Sequence, residues 1–234
     1  MQGHDGSQIV YNGEIYNFSD LKTEELSEYQ FRSNSDTEVI LALYEKHGAD
    51  CVQYLRGMFA FAIWDEKRQR LFCARDRFGI KPIYFNHSDE AFIFASEMKA
   101  ILPFLNDITT NFEALSEYFA FQYTLGDQTL FNNIFQLMPG HFLILENDTL
   151  TVKKYWDVNY RIDKEHSEKF FEEKLEYLMN DSVKYHQVSD VPVGGYLSGG
   201  IDSSLVVALA TESNEDFYGS FHGRFTQYPG YDES

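Results

Sequence analysis

The chain has 234 residues, 44% hydrophobic and 17% aromatic, a composition typical of a globular protein rather than a disordered tail. Its 37 Asp and Glu outnumber 19 Lys and Arg, which gives a formal charge of -18. Such a surface repels polyanions, so nucleic acid and anionic membranes are excluded as expected partners.

The first elements combine a short strand with two helices. An apolar run over residues 9–11 enters Asn12-Gly13-Glu14, which is typical of a strand that ends in a turn. Residues 19–29 predict a short helix capped by Ser19 or Asp20. Residues 36–46 predict a longer helix, which is capped by Ser35 or Asp36 and closed by Gly48.

After residue 57 the hydrophobic pattern changes from helical spacing to short strand-like runs. Three short aromatic-rich runs, over residues 58–64, 70–74 and 91–95, predict strands of a mostly antiparallel sheet. The runs are apolar on both faces, so helices or a second sheet should cover them. Residues 111–121 predict a helix, and residues 140–156 predict a hairpin that turns at Asn147-Asp148.

A polar stretch over residues 160–168 separates two predicted domains, 1–159 and 160–234. In the second domain, residues 167–188 predict a charged amphipathic helix. The apolar run 191–197 then enters a glycine-rich turn and a helical segment, which is the beginning of a parallel α/β unit. The predicted fold class is therefore α+β followed by α/β.

The sequence SGGIDS, residues 198–203, is the sharpest chemical signal. Gly199 and Gly200 allow consecutive N–H groups to approach an anion, and Asp202 and Ser203 open a helix whose positive end points the same way. We expect Gly200 to leave room for both the turn and a phosphate. The alternative is a purely structural turn in which Ser198 or Ser203 caps the helix.

This loop lacks the Lys of a Walker motif and resembles the SGGxDS loop of the ATP pyrophosphatases. The resemblance implies ATP as a cofactor, bound by these residues: Leu197, Ser198, Gly199, Gly200, Asp202 and Ser203. Since the Asp202 carboxylate alone would repel phosphate, we expect Mg²⁺ to bridge Asp202 and the nucleotide.

A second group of residues can act on an amide. The Asn12 side chain and the Gly13 N–H are two donors for a tetrahedral oxyanion, and the Glu14 and Asp36 carboxylates can hold an ammonium group. Taken locally, a hairpin turn at Asn12-Gly13 and a helix cap at Asp36 are equally good explanations.

NGEIYN (residues 12–17) and Ser35-Asp36 resemble the signatures of class II glutamine amidotransferases. The resemblance implies that Asn12 and Gly13 form the catalytic oxyanion hole and that Glu14 and Asp36 hold the α-amino end of glutamine. In that family the nucleophile is an N-terminal Cys activated by its own α-amine.

The likeness continues in order along nearly the whole chain, in the pattern of the glutamine-hydrolysing asparagine synthetases. It is carried by these further runs: LRGMFAFAIWD (55–65), ARDRFGIKPIYF (74–85), FASEMKAIL (94–102), FQYTLGDQTLF (121–131), LMPGHFLIL (137–145) and VPVGGYLSGGIDSS (191–204). It implies an Ntn-hydrolase-like sandwich and a ligase that makes asparagine through a β-aspartyl adenylate. Glutamine, aspartate and ATP are the implied partners, and a homodimer is compatible with the family.

Four charged residues follow the strands in turns: Arg75, Asp76, Glu97 and Lys99. In the family this region faces the synthetase domain. Ordinary surface ion pairing explains these residues equally well.

The chain departs from the family at both ends. It begins Met1-Gln2, and its cysteines, Cys51 and Cys73, are expected to be small buried hydrophobes. We expect the nucleophile to lie upstream of Met1 and the chain as given to be inactive as a glutaminase. Residues 217–225 and 231–234 resemble the family's next strand and the start of its following helix. Residues 220–225 lack the small apolar residue against which adenine packs in the family, which leaves that contact open.

Two other functions remain open. The same domains can serve a different carboxylate acceptor, as in β-lactam synthetase-like or cell-surface polysaccharide-associated relatives, or the chain can be a non-catalytic binding or regulatory fragment. No basic and apolar leader and no apolar run near 20 residues occurs, so we expect a cytoplasmic protein.

Overall fold

The structure is a computed structural model that describes residues 1–223. The chain divides into two units, Met1–Asn159 and Tyr160–Ser234. The strands of unit 1 are β1 (Gln8–Ile15), β2 (Gly57–Asp65), β3 (Arg70–Arg75), β4 (Tyr84–His87), β5 (Phe92–Ala95), β6 (Phe135–Gln136), β7 (His141–Glu146) and β8 (Thr149–Lys154). Its α-helices are α1 (Phe18–Glu24), α2 (Asp36–His47) and α3 (Phe112–Phe121).

Unit 1 contains two antiparallel sheets, which confirms the predicted sheet type. The larger has the strand order β1-β2-β3-β7-β8, and the smaller has the order β5-β4-β6. The antiparallel order follows from short connections, such as the hairpin between β7 and β8. That hairpin turns at Asn147 and Asp148, whose φ angles of 49° and 57° are those of a primed turn, as predicted.

Both faces of the larger sheet are buried at its central strands β2 and β3, which are apolar on both sides. One face packs on α1 and α2, and its core includes Ile9, Ile15, Phe59, Phe61 and Phe72. The opposite face packs on residues of the smaller sheet, and its core includes Ala60, Ala62, Cys73, Phe85 and Leu143. The expectation that helices or a second sheet cover these strands is confirmed, and both do.

The start of unit 1 differs from the sequence prediction. Asn12, Gly13 and Glu14 do not form a turn but continue β1, where they pair with Ala60, Phe59 and Met58. A side chain at Gly13 would overlap the Met58 carbonyl oxygen, so glycine allows the two strands to approach. The expected hairpin turn at Asn12-Gly13 is therefore wrong.

Helix α1 also differs from its prediction. It begins after Asn17 rather than after Ser19 or Asp20, and it ends at Glu24 rather than at residue 29. The Asn17 side chain does not cap the helix. Instead its amide donates to the Tyr54 carbonyl and accepts the Arg56 N–H, at 3.0 and 2.9 Å. This residue connects the helix start to the segment before β2.

Helix α2 begins and ends as its sequence indicates. Ser35 is the N-cap and accepts the Thr37 N–H at 3.2 Å, so Asp36 is the first helical residue rather than the cap. Gly48 ends the helix with a φ of 59°, a conformation in which glycine is favoured.

Unit 2 contains α4 (Glu168–His186), β9 (Gly195–Tyr196), α5 (Ile201–Ser213) and β10 (Ser220–Phe221). Strands β9 and β10 are parallel, as expected of a strand–turn–helix–strand unit, although each is shorter than predicted. Predicted structure at residues 224–225 and 231–234 lies outside the described residues. Within residues 1–223, no helix has both the length and the apolar character that spanning a bilayer demands.

Candidate functional site

The outer edge of β1 presents backbone N–H groups that are not used by β2. Ile9 exchanges hydrogen bonds with Met1 on this edge, at 2.9 and 3.0 Å. Alternate residues of a strand direct their N–H groups to the same edge, so Gly13 and Ile15 face it as well. The structure thus places the Gly13 N–H on the side of β1 away from β2.

Asp36 lies at this edge. Its Oδ2 accepts the Ile15 N–H at 3.0 Å and the Tyr11 hydroxyl at 2.7 Å. Burial, together with the hydrogen bond to Asp36, raises the pKa of the Tyr11 phenol, so Tyr11 remains a donor. In the sequence, Asp36 and Gly13 were separate candidates. The structure places both at the outer edge of β1.

Asn12 and Glu14 lie on the face of β1 opposite the Tyr11 side chain, because side chains alternate along a strand. The Asn12 side chain is exposed and has no hydrogen bond to a described residue. It lines a pocket of about 190 Å³ together with Ala60, Phe94 and Ser96. The Asn12 amide is therefore available to a ligand, whereas Glu14 is half-buried.

Glu38 is a site-supporting residue that sequence reasoning missed. Its buried carboxylate accepts the N–H groups of Arg32 and Ser33 at 2.8 and 2.7 Å and the Ser33 hydroxyl at 2.6 Å. These bonds fix the segment that leads into Asp36. A Glu in the first turn of an otherwise apolar helix, two residues after Asp36, was the signal that could have identified it.

The cysteines are where the sequence predicted them, in the interior. Cys51 belongs to the core on the helix side of the larger sheet, and Cys73 to the core on its other side. Burial raises the pKa of both thiols. Neither thiol is poised to act as a nucleophile, since reactivity requires an accessible thiolate.

Arg75 and Asp76 are buried rather than a surface ion pair. The Arg75 guanidinium donates to the carbonyls of Leu137, Gly79 and Lys81, at 2.7, 2.8 and 2.9 Å. Burial lowers the pKa of Arg75. Its five donors in a rigid fork suit it to holding several loop carbonyls at once.

The Asp76 carboxylate is the centre of the loop that follows β3. It accepts four backbone N–H groups, at 3.0 to 3.2 Å, from these residues: Phe59, Phe78, Ile80 and Lys81. Glu97 and Lys99, by contrast, form an exposed ion pair at 2.6 Å. This contact supports the explanation of Glu97 and Lys99 as an ordinary surface ion pair.

The SGGIDS loop joins β9 to α5 in unit 2. Gly199 has a φ of 86°, which favours glycine, whereas Gly200 has a φ of -77° and is the N-cap of α5. A Cβ at Gly200 would meet only the Ser198 Oγ, at 3.7 Å. The turn therefore requires a glycine at position 199, and the expectation that the turn needs room at Gly200 is wrong.

The N-terminus of α5 has no side-chain cap. Neither Ser198 nor Ser203 caps it, contrary to the alternative considered above. The Ser203 hydroxyl instead donates to the Gly200 carbonyl at 3.0 Å and accepts the Ser198 N–H at 3.2 Å. Ser198 and Ser203 hydroxyls lie 3.0 Å apart. Among described residues, the N–H groups of 201–203 have no acceptor, and they provide a cluster of anion-binding donors.

Asp202 is exposed in the first turn of α5 and lines a groove with residues of α4, including Leu175 and Met179. Within residues 1–223, no group of three or more His, Cys, Asp or Glu side chains could hold a metal ion. A single carboxylate nevertheless fits Mg²⁺ that is also bound to nucleotide phosphates, since Mg²⁺ commonly takes one or two protein carboxylates.

Leu197 is connected to the neighbouring strand. Its N–H donates to the Phe221 carbonyl at 2.8 Å, and its carbonyl lies 2.7 Å from Nδ1 of His222. This contact involves the segment where the sequence departs from the family.

Both groups of residues lie within segments of the chain that match protein-family models. The family model described as a glutamine amidotransferase domain matches residues 1–156. The chain belongs to this family. A second model, described as asparagine synthase, matches residues 174–234. The expected resemblance to glutamine-hydrolysing asparagine synthetases is confirmed.

Curated relatives of this family member cover most of the chain. Glutamine-hydrolysing asparagine synthetases 1 and 3 of Bacillus subtilis are each 42% identical, over 87% and 86% of this chain. Amidase chry2 of Gibberella zeae is 35% identical over 88% of it. The chain spans only about a third of these relatives, 32%, 33% and 31% of their lengths.

Proposed function

We propose that this chain acts within a glutamine-hydrolysing asparagine synthetase, in which unit 1 binds glutamine and unit 2 binds ATP. The observation that carries the proposal is that the Gly13 N–H and the Asp36 carboxylate occupy one open strand edge. The names of the Bacillus subtilis relatives support the reaction.

The spacing along β1 suits glutamine. The Ile15 N–H, to which Asp36 is bonded, lies two residues from the Gly13 N–H, or about 7 Å along an extended strand. Glutamine carries its α-amino group and its amide at opposite ends of a short carbon chain. The α-amino group would pair with Asp36, and the amide carbonyl would accept from Gly13 and Asn12.

The same donors would assist hydrolysis of the amide. When a nucleophile adds to the amide carbon, negative charge develops on the former carbonyl oxygen. A backbone N–H at Gly13 and the side-chain amide of Asn12 would stabilise this charge. Cys51 and Cys73 are buried in the cores and are not assigned the nucleophilic role.

In unit 2 the open N–H groups of residues 201–203, with the Ser198 hydroxyl, would hold phosphate oxygens of ATP. Asp202 would provide one ligand to Mg²⁺, which neutralises phosphate charge when bound. The aspartate β-carboxylate attacks the α-phosphorus of ATP, which releases pyrophosphate and gives an adenylate. Ammonia then displaces AMP and yields asparagine.

The experiment measures asparagine, AMP and pyrophosphate formed by the protein that carries this chain, with glutamine or with ammonia as the nitrogen source. Asn12→Ala should lower the glutamine-dependent rate about 10²- to 10³-fold, as loss of one oxyanion donor does. The ammonia-dependent rate should be unchanged. An equal loss with both nitrogen sources would contradict the assignment of Asn12.

The acceptor is tested by competition among carboxylates. The similarity to an amidase of Gibberella zeae is a reason to compare aspartate with other carboxylic acids under the same conditions. If another acid is preferred, the aspartate assignment fails, while the glutamine and ATP assignments stand.

A further inference from the structure

Tyr11 contacts the proposed glutamine site through Asp36. We propose that Tyr11 is a positioning residue that sets the Asp36 carboxylate for the α-amino group of glutamine. This inference rests on the proposed function and deepens it, because it names a residue that determines recognition of an amino acid rather than of a simple amide.

The two oxygens of Asp36 have different surroundings. Oδ2 accepts the Tyr11 hydroxyl at 2.7 Å and the Ile15 N–H at 3.0 Å. Oδ1 has only long contacts with the Ser35 and Thr37 hydroxyls, at 3.4 and 3.5 Å. Contacts of that length are weak hydrogen bonds. Oδ2 is therefore an anchor, and Oδ1 remains available to an ammonium group.

Both anchoring donors belong to β1, the strand that also carries the proposed oxyanion donors. Two bonds to one oxygen, from groups four residues apart, fix the carboxylate both along the strand and across it. A backbone N–H alone would leave the carboxylate free to rotate about that single bond. The hydroxyl of Tyr11 thus sets the distance between the ammonium site and Gly13.

Tyr11 keeps the donor role because its phenol is mostly buried beside a carboxylate, and both effects disfavour the phenolate. The hydroxyl therefore remains a donor toward Asp36. Its hydrogen bond to the ionised carboxylate is charge-assisted, which makes it stronger than a bond between neutral groups.

A matched Tyr–Asp pair elsewhere in unit 1 provides the control. The Tyr44 hydroxyl donates to Asp65 at 3.1 Å, but Asp65 is fully buried and also accepts the N–H and guanidinium of Arg68. Tyr44→Phe therefore removes the same kind of hydrogen bond without touching the proposed ligand site.

The experiment titrates glutamine and its analogue without the α-amino group, 4-carbamoylbutanoate, into the ¹⁵N-labelled chain of residues 1–234. Amide chemical shifts report binding of weak ligands, and circular dichroism checks folding. The variants are Tyr11→Phe, Asp36→Asn and Tyr44→Phe. For the unaltered chain, we expect tighter binding of glutamine than of the analogue, because only glutamine can pair with Asp36.

Tyr11→Phe should weaken glutamine binding about tenfold or more, the scale of one hydrogen bond to a charged group, with binding of the analogue unchanged. Asp36→Asn should remove the preference for glutamine, and Tyr44→Phe should alter neither affinity. Selective loss of the α-amino preference distinguishes positioning from a general effect on the fold.

Four results would overturn the inference. Equal weakening of both ligands by Tyr11→Phe would make Tyr11 a general structural residue, and no change would show that Asp36 is positioned without it. If Asp36→Asn keeps the glutamine preference, or the unaltered chain binds no glutamine, the proposed glutamine site itself fails. If Asp36→Asn removes the preference for glutamine but Tyr11→Phe changes nothing, this inference fails while the proposed glutamine site stands.

Discussion

Asp76 and Phe59 are joined by two hydrogen bonds between β2 and the loop after β3. The Asp76 N–H donates to the Phe59 carbonyl at 2.8 Å, and the Phe59 N–H donates to the Asp76 carboxylate at 3.2 Å. The N–H and carbonyl groups of Phe59 therefore both point away from β1. Its register partner Gly13 is left with its own N–H facing outward.

Asp76→Asn should strongly destabilise unit 1. The carboxylate accepts four N–H groups, and an Asn side chain would turn an NH₂ group toward some of these donors. We expect a loss of about 3 kcal/mol or more in the free energy of unfolding, measured with urea. Glu97→Gln, at the exposed pair with Lys99, is the control and should leave it unchanged.

Glu38 should make stability depend on pH. Burial alone would raise its pKa, but hydrogen bonds from the Ser33 hydroxyl and from the N–H groups of Arg32 and Ser33 outweigh burial and lower it. A lowered folded-state pKa contributes stability that is present above the unfolded value, about 4.3. That contribution is lost as the pH falls through the folded-state pKa.

Glu38→Gln should therefore cost about 1 to 3 kcal/mol of unfolding free energy at neutral pH, with the difference from the unaltered chain shrinking in acid. Urea unfolding at a series of pH values measures it. Glu28→Gln changes an exposed carboxylate of the same unit and should show no such trend. A difference that is constant with pH would mean that the charge of Glu38 is irrelevant.

Cys51 and Cys73 should both resist thiol reagents in the folded chain. Burial raises the pKa of each thiol and blocks access to it. We expect labelling by a disulfide reagent to require unfolding in urea, and no glutamate release from glutamine by the chain of residues 1–234. Glutamate release that disappears in Cys51→Ala or Cys73→Ala would contradict this assignment.

Local patterns in the sequence predicted much of the fold because they act over short distances. Helix α2 has its Ser35 cap and Gly48 end, and the Asn147-Asp148 turn fixes its hairpin. The continuation of β1 through Asn12-Gly13 could not be predicted in this way. It depends on pairing with β2, more than 40 residues away, which overrides the turn preference of Asn-Gly.

The candidate site likewise combines features that the sequence shows locally with contacts that depend on the tertiary fold. Its residue types were visible in the sequence, but the contact of Asp36 with Tyr11 and Ile15 requires α2 to pack beside β1. Arg75 and Asp76 looked like surface charges because their loop carbonyl and N–H partners are set by the tertiary fold. Charge in a sequence does not reveal burial.

Replacement by alanine should have different effects at the two glycines of the SGGIDS loop. Gly199 has a φ of 86°, which costs an L-residue about 1 to 2 kcal/mol, whereas the φ of -77° at Gly200 suits any residue. Gly199→Ala should therefore reduce both stability and ATP affinity. Gly200→Ala should leave stability unchanged, because the nearest atom to its Cβ is the Ser198 Oγ at 3.7 Å.

A methyl group at position 200 would nevertheless occupy space that the proposed site gives to a phosphate, next to the N–H groups of residues 201–203. We expect Gly200→Ala to lower ATP affinity about tenfold, or about 1.4 kcal/mol, in calorimetric titrations of the protein that carries this chain. Asp202→Asn should weaken ATP binding to a similar degree, and only when Mg²⁺ is present. If Gly200→Ala binds ATP normally, the loop is a structural turn and phosphate binding must be assigned elsewhere.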